Sequence, residues 1–97
     1  MAILETLTAD GPTDEFTAQG NFRIEVDGDF GGGTFTVQEK IDGIFKSMPG
    51  TEKTLAFSEA FDLLGVGGIF RFNLSGSTSP NLNTTAIGPV SRIGSPP

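Results

Sequence analysis

The sequence predicts an all-β fold: a small antiparallel β-sandwich or jelly-roll-like barrel of about six to eight short strands with extended termini. Two observations predict it. Apolar and polar residues alternate with period two in several short runs. Fourteen glycines and six prolines punctuate the chain between those runs, at the spacing of turns rather than of helix ends.

The elements follow in order. Ile3, Glu5 and Leu7 make one short strand before the break at Asp10-Gly11-Pro12. The clearest strand is Phe22 to Asp27, in which Phe22, Ile24 and Val26 face a core while Arg23, Glu25 and Asp27 face water. Thr34 to Ile41 repeats the alternation with Phe35 and Val37 inward. The two read as a hairpin joined by the loop Gly28-Asp29-Phe30-Gly31-Gly32-Gly33. Asp42-Gly43 turns the chain, and Ile44-Phe45-Lys46 forms a short strand stopped by Pro49-Gly50. Thr51 to Phe57 reads as a strand with Leu55 and Phe57 on its apolar face. Ser58 to Leu64 is too short before Gly65 for a stable helix and reads as an irregular strand or loop. Gly68 to Leu74 alternates cleanly, Ser75 to Asn81 is a polar turn, and Leu82 to Ile87 closes the sheet. The chain divides into an N-terminal arm or edge strand over 1–12, a sandwich over 13–87 and an extended C-terminal arm over 88–97.

With 97 residues the chain is one domain with a modest core. It has no cysteine to staple itself, so a partner subunit is an expected source of stability. Six basic against twelve acidic residues give a net charge of −6. Arg23, Lys40, Lys46, Lys53, Arg71 and Arg92 are scattered singly, which excludes the concentrated positive footprint of a nucleic-acid binder and disfavours anionic membranes. Residues 1–5 lack the pattern of a signal peptide, and no apolar run is long enough to span a bilayer. The expectation is a protein made in the cytoplasm of its producer and leaving only in or upon a particle.

Histidine and cysteine are both absent, which removes histidine- and cysteine-based nucleophilic machinery and most transition-metal sites. The acids of the strands point to solvent rather than into a cleft that raises a pKa. No enzyme and no cofactor are expected. The glycine run is followed by a strand instead of a helix and is flanked by Asp27 and Asp29, so it is no phosphate loop. Those two aspartates alone fall short of the six or so oxygens calcium needs. All nine aromatics are Phe, which counts against sugar stacking on Trp or Tyr. Phe30 stands out because a large ring in a glycine loop either folds back over the open end of the sandwich or anchors a partner.

The run Asp29-Phe30-Gly31-Gly32-Gly33-Thr34, the segment Asp42-Gly43 to Pro49-Gly50-Thr51 and the strand Arg71-Phe72-Asn73-Leu74-Ser75-Gly76 together resemble small virion β-sandwich proteins of tailed bacteriophages. The likeness covers roughly residues 20–87. It departs where Phe30 stands in place of a tryptophan often found before the glycine run. The resemblance implies a capsid cement or decoration protein on the outside of a phage head, holding junctions between copies of the major capsid protein as a homotrimer or homodimer. A tail or connector component and a receptor- or glycan-binding module are the alternatives. The partner contacts expected on this reading are Phe30, Ile3 and Leu7 of the N-terminal arm, and Pro89, Val90 and Ile93 of the C-terminal arm.

Overall fold

The computed structural model describes residues 2–48 and 50–93, with the backbone alone over 62–66. Among them there is no helix; the chain forms eight strands. These are β1 (Ala2–Leu7), β2 (Gly11–Pro12), β3 (Phe16–Asp29), β4 (Thr34–Ile41), β5 (Ile44–Ser47), β6 (Phe57–Ser75), β7 (Asn81–Ile87) and β8 (Val90–Arg92). All pairings are antiparallel, in the order β1-β7-β3-β6-β4-β5, with β2 on β6 and β8 on β3.

Two strands are far longer than expected, β3 with 14 residues and β6 with 19. Their length lets one continuous sheet fold over into a sandwich. Phe16 and Phe22 lie six positions apart on β3, about 20 Å along a straight strand, yet their ring centroids are 6.3 Å apart. The strand must therefore bend between them. The ladder with β6 breaks at that place: Gln19 pairs Gly67 and Asn21 pairs Asp62, so Gly20 alone stands opposite residues 63–66. Gly20 has φ of 68°, which only glycine adopts cheaply.

The first layer holds β1, β7, the C-terminal half of β3 and the N-terminal half of β6. The second holds β8, the N-terminal half of β3, the C-terminal half of β6, β2, β4 and β5. Even-numbered residues of β3 face inward on both sides of the bend: Phe16 and Ala18, then Phe22, Ile24 and Val26. Phe70, Phe72 and Leu74 of β6, Phe35 and Val37 of β4, and Leu82 and Ala86 of β7 complete the core. Phe22 meets Phe70, and Phe35 meets Phe57, each at 5.4 Å between centroids across the two layers.

Several expectations are corrected. β3 and β4 are not a hairpin, because β6 lies between them in the sheet order. Alternation fixes which side of a strand is buried but not which strand is its neighbour. Residues 30–33 carry the chain from one layer to the other as an arch, and so does the 76–80 connection from β6 to β7. Thr51 to Ala56 is no strand; among these residues only Lys53 bridges, to Phe35, and Leu55 is 77% exposed. Phe57 packs against the core as the first residue of β6, and Ser58 onward continues that strand. Val90–Arg92, expected in a free arm, pairs with Phe16–Ala18 of β3. Residues 94–97 of that arm lie outside the described residues. The Asp42-Gly43 turn is as expected: it joins β4 to β5 with Ile41 opposite Ile44 and φ of 53° and 80°.

Candidate functional site

Two of the segments that carry the phage resemblance, Asp29 to Thr34 and the end of the Arg71-to-Gly76 strand, meet at the arch end of the sandwich, whereas the Asp42-Gly43 turn lies at the far end of β4. The Thr78 amide donates to the Gly31 carbonyl at 2.9 Å, and the Gly33 amide donates to the Phe30 carbonyl at 2.9 Å. A Cβ at Gly31, whose φ is 60°, would lie 2.5 Å from the Thr78 carbonyl oxygen. One at Gly33 would lie 2.8 Å from both the Ser75 oxygen and the Ser77 Cβ. The glycines are there so that two arches can touch backbone to backbone. Asp10 clamps the same corner: its Oδ1 accepts from the Ser77 amide at 3.0 Å and from the Ser77 hydroxyl. These bonds, the hydroxyl's above all, hold the Asp10 carboxyl below its ordinary pKa. Asp29 accepts from the Gly31 amide at 2.8 Å, shaping the start of the arch.

Phe30 is 6% exposed and belongs to the core cluster. The arch folds its ring back over the open end of the sandwich, so it is not presented as a partner anchor. Leu7 and Val90 are also in the core, because β1 and β8 are paired strands whose inward positions these residues occupy. Ile3 is half-buried and packs against that core. Of the six expected contact residues, Pro89 and Ile93 remain exposed.

The larger concave feature lies on the outer face of the second layer. A groove of about 1040 Å³ runs over Thr17, Gln19, Ile69, Lys40, Pro89 and Ser91. The sheet register explains the grouping: Ser91 pairs Thr17, Thr17 pairs Ile69, and Lys40 pairs Phe45. Val90 contributes to its wall from behind. Beside the groove, Arg71 pairs Gln38, and its Nε donates to the Gln38 Oε1 at 2.7 Å. The guanidinium carbon sits 4.0 Å from the Phe45 ring centroid, and Lys40 Nζ lies 5.7 Å from the same centroid. A smaller hollow of about 390 Å³ opens between Arg71, Pro12, Thr13, Asp14, Glu15 and Ile93. Sequence reading placed Phe45 and Arg71 only as strand and scattered charge; their stacking depends on register across three strands, which periodicity does not reveal.

The face holds hydroxyls, amides, two cations and apolar patches, and among the described residues no group of three or more acidic side chains gathers to hold a metal ion. Such groups can engage a ligand by hydrogen bond, charge and apolar contact.

The chain matches no protein-family model, and no curated protein matches it by sequence. Solved structures match its fold. The O-glycopeptide complex of the IMPa metallopeptidase from Pseudomonas aeruginosa aligns with TM-score 0.59 at 18% identity over 95% of this chain. The complex of that peptidase with T-antigen aligns at 0.55 and 16%, again over 95%. The present chain spans 12% of each peptidase chain. The Yersinia pseudotuberculosis-derived mitogen aligns at TM-score 0.54 and 12% identity, covering 94% of this chain and 92% of its own. At these identities the likeness is one of fold.

Proposed function

We propose that this chain is a non-catalytic structural protein of a virion, a capsid cement or decoration protein that binds the outside of a tailed-phage head. Its partners on this reading are the major capsid protein and further copies of itself, as a homotrimer or homodimer. It is made in the host cytoplasm and carried on the capsid surface. The observation that carries the reading is the arch end. The glycine run and Ser75-Gly76, which belong to two of the three segments on which the resemblance rests, interlock there. The all-β core without histidine or cysteine and an open polar face suit a module that works by contact. Repeated over a shell, modest contacts of this kind stiffen it by mass action.

The test is particle survival. Heads lacking the chain are expected to lose their contents at lower temperature and under milder osmotic shock than complete heads. Equal survival would rule out cementing. Copy number separates the tail or connector alternative: on the order of hundreds per particle for a cement protein, rings of about six or twelve for a connector.

A second reading, a glycan- or receptor-binding module, is favoured by the fold likeness to a peptidase solved with an O-glycopeptide and with T-antigen. Saturable hits on a glycan array would support it.

A further inference from the structure

We infer that the free edge of β5 is a self-pairing seam, through which two copies of this chain join their sheets about a two-fold axis. The path of the sheet has two ends, β1 and β5. The β1 end is tied down: the Arg92 Nη2 donates to the Leu4 carbonyl at 3.1 Å, and the Asp14 amide donates to the Glu5 carboxylate at 3.1 Å. Glu5, Asp14 and Glu15 gather there, so two copies of that edge would repel. Among the described residues nothing pairs with β5 on the side away from β4. One open edge pairs with its own image and stops there; a ring or a fibre would need two.

The ladder decides which backbone groups are on offer. Ile41 and Ile44 flank the two-residue Asp42-Gly43 turn and so form a hydrogen-bonded pair, and the Met48 amide donates to the Val37 carbonyl at 2.8 Å. Even-numbered residues of β5 therefore bond to β4, while the amides and carbonyls of Phe45 and Ser47 point outward. With Phe45 on the two-fold axis, it exchanges two hydrogen bonds with its image, and Ile44 stands opposite the second copy's Lys46. Other registers are worse. Sliding by two residues sets Lys46 against its own image in one direction and runs Phe45 onto the Gly43 turn in the other. A slip of one residue turns the apolar side of one copy to the outer face of its neighbour.

Side chains and charge select a second copy as the occupant. Val37, Glu39 and Ile41 share the core-facing side of β4, but the hairpin end runs on past the core, leaving Ile41 45% and Ile44 63% exposed. These two stand opposite one another in the ladder. The two-fold axis brings two such pairs side by side. It lays the aliphatic stem of the second copy's Lys46 over Ile44, with the ammonium in diagonal reach of Asp42. On the outer side the two Phe45 rings meet, each already backed by its own Arg71 at 4.0 Å. The hairpin sets Glu39 and Asp42 against Lys40 and Lys46 and is neutral, so the rest of the chain holds the whole net charge of −6. Two copies thus repel except through this hairpin.

The inference deepens the homodimer arm of the assembly reading, on which it rests, and its test is separable from that reading. The full chain is followed by sedimentation equilibrium up to about 1 mM, the effective concentration that a short tether or a crowded shell imposes. A four-residue seam is small, so dimerisation should be weak and should saturate at twice the chain mass within that range. Ile44→Lys sets lysine against Lys46 on both sides of the axis and should weaken the dimer on the order of tenfold or more. Ile44→Glu is as polar but meets Lys46 with the opposite charge, and should keep most of the association. Net charge alone would favour the reverse order, and the contrast between two equally polar variants separates the seam from a folding defect. Leu4→Lys, on the β1 edge, should dimerise as wild type. The inference is overturned if the chain stays monomeric through the range or sediments as a trimer. It is equally overturned if I44K and I44E weaken association alike, or if L4K abolishes it. A monomer bound at normal copy number on particles removes the seam and leaves the assembly reading standing. A dimer sensitive to I44K that heads do not bind does the opposite.

Discussion

The arch end and the outer face of the second layer solve opposite problems with the same strands. At the arch end everything is consumed internally: Phe30 is buried, Gly31 and Gly33 touch backbone, and Asp10 is spent on Ser77. On the outer face, one layer of residues away from the same core, Arg71 is held rigid but left without an acidic partner among the described residues. The difference teaches where conspicuous residues belong. The glycine run and the loop phenylalanine stand out in the sequence and serve the fold; the arginine in the middle of a strand, with Gln38 and Phe45 about it, is what shapes the outer face.

That contrast can be broken from the inside first. Phe16 touches Phe22, Phe70 and Phe72, with centroids 6.3, 6.1 and 5.2 Å away. Phe16→Ala is expected to cost about 3–5 kcal/mol in urea unfolding, because it opens a cavity where both layers meet. Gly31→Ala comes next. It puts a Cβ against the Thr78 carbonyl at a positive φ, and should cost more than about 1 kcal/mol, since neither backbone can yield without losing the Thr78–Gly31 bond. Thr13→Val tests the seam between β2 and β6. The Thr13 hydroxyl accepts from the Phe72 amide at 2.9 Å in a buried position; leaving that amide unpaired should cost about 1–3 kcal/mol. The outer face should behave differently: R71Q, which loses one part-buried hydrogen bond and the stack on Phe45, is expected to cost only about 1 kcal/mol in the same unfolding measurement.

Most of the fold was legible in the sequence, and the physical reason is periodicity. Phe22, Ile24, Val26, Phe35, Val37, Phe70 and Phe72 alternate with polar residues and are all buried. What alternation does not encode is adjacency. The run through Phe30 looked like a hairpin because its flanks alternate, yet β6 pairs with both flanks. The long β6 was hidden by its own glycines, which sit at the bend instead of ending the strand. Leu55 shows the converse, an apolar residue in an apparently regular run that is left in water. For the site, Pro89 was expected as a contact residue of an extended C-terminal arm, and it is exposed on the rim of the groove. Leu7 and Val90 were not, because whether a terminal strand docks is decided by its partner strands.

The weakest effect expected concerns pH. The Asp10 carboxyl is held below its ordinary pKa, chiefly by the Ser77 hydroxyl. A group whose folded pKa is depressed contributes stability that is present above its unfolded pKa and lost as pH falls through the folded one. Unfolding followed from neutral pH into the acid side of the carboxylate range should show a small loss in the wild type that Asp10→Asn lacks. An identical acid slope in both proteins would mean that the clamp does not couple to folding.

The central claim, that the chain is an assembly protein of the capsid exterior, is tested most directly by adding it back. Heads made without it are saturated with the purified chain, washed, and the bound copies counted by quantitative mass spectrometry alongside the temperature at which they open. The account predicts saturable binding on the order of hundreds of copies per head and a higher opening temperature. No saturable binding, or saturation at about six or twelve copies with no change in opening, would contradict it.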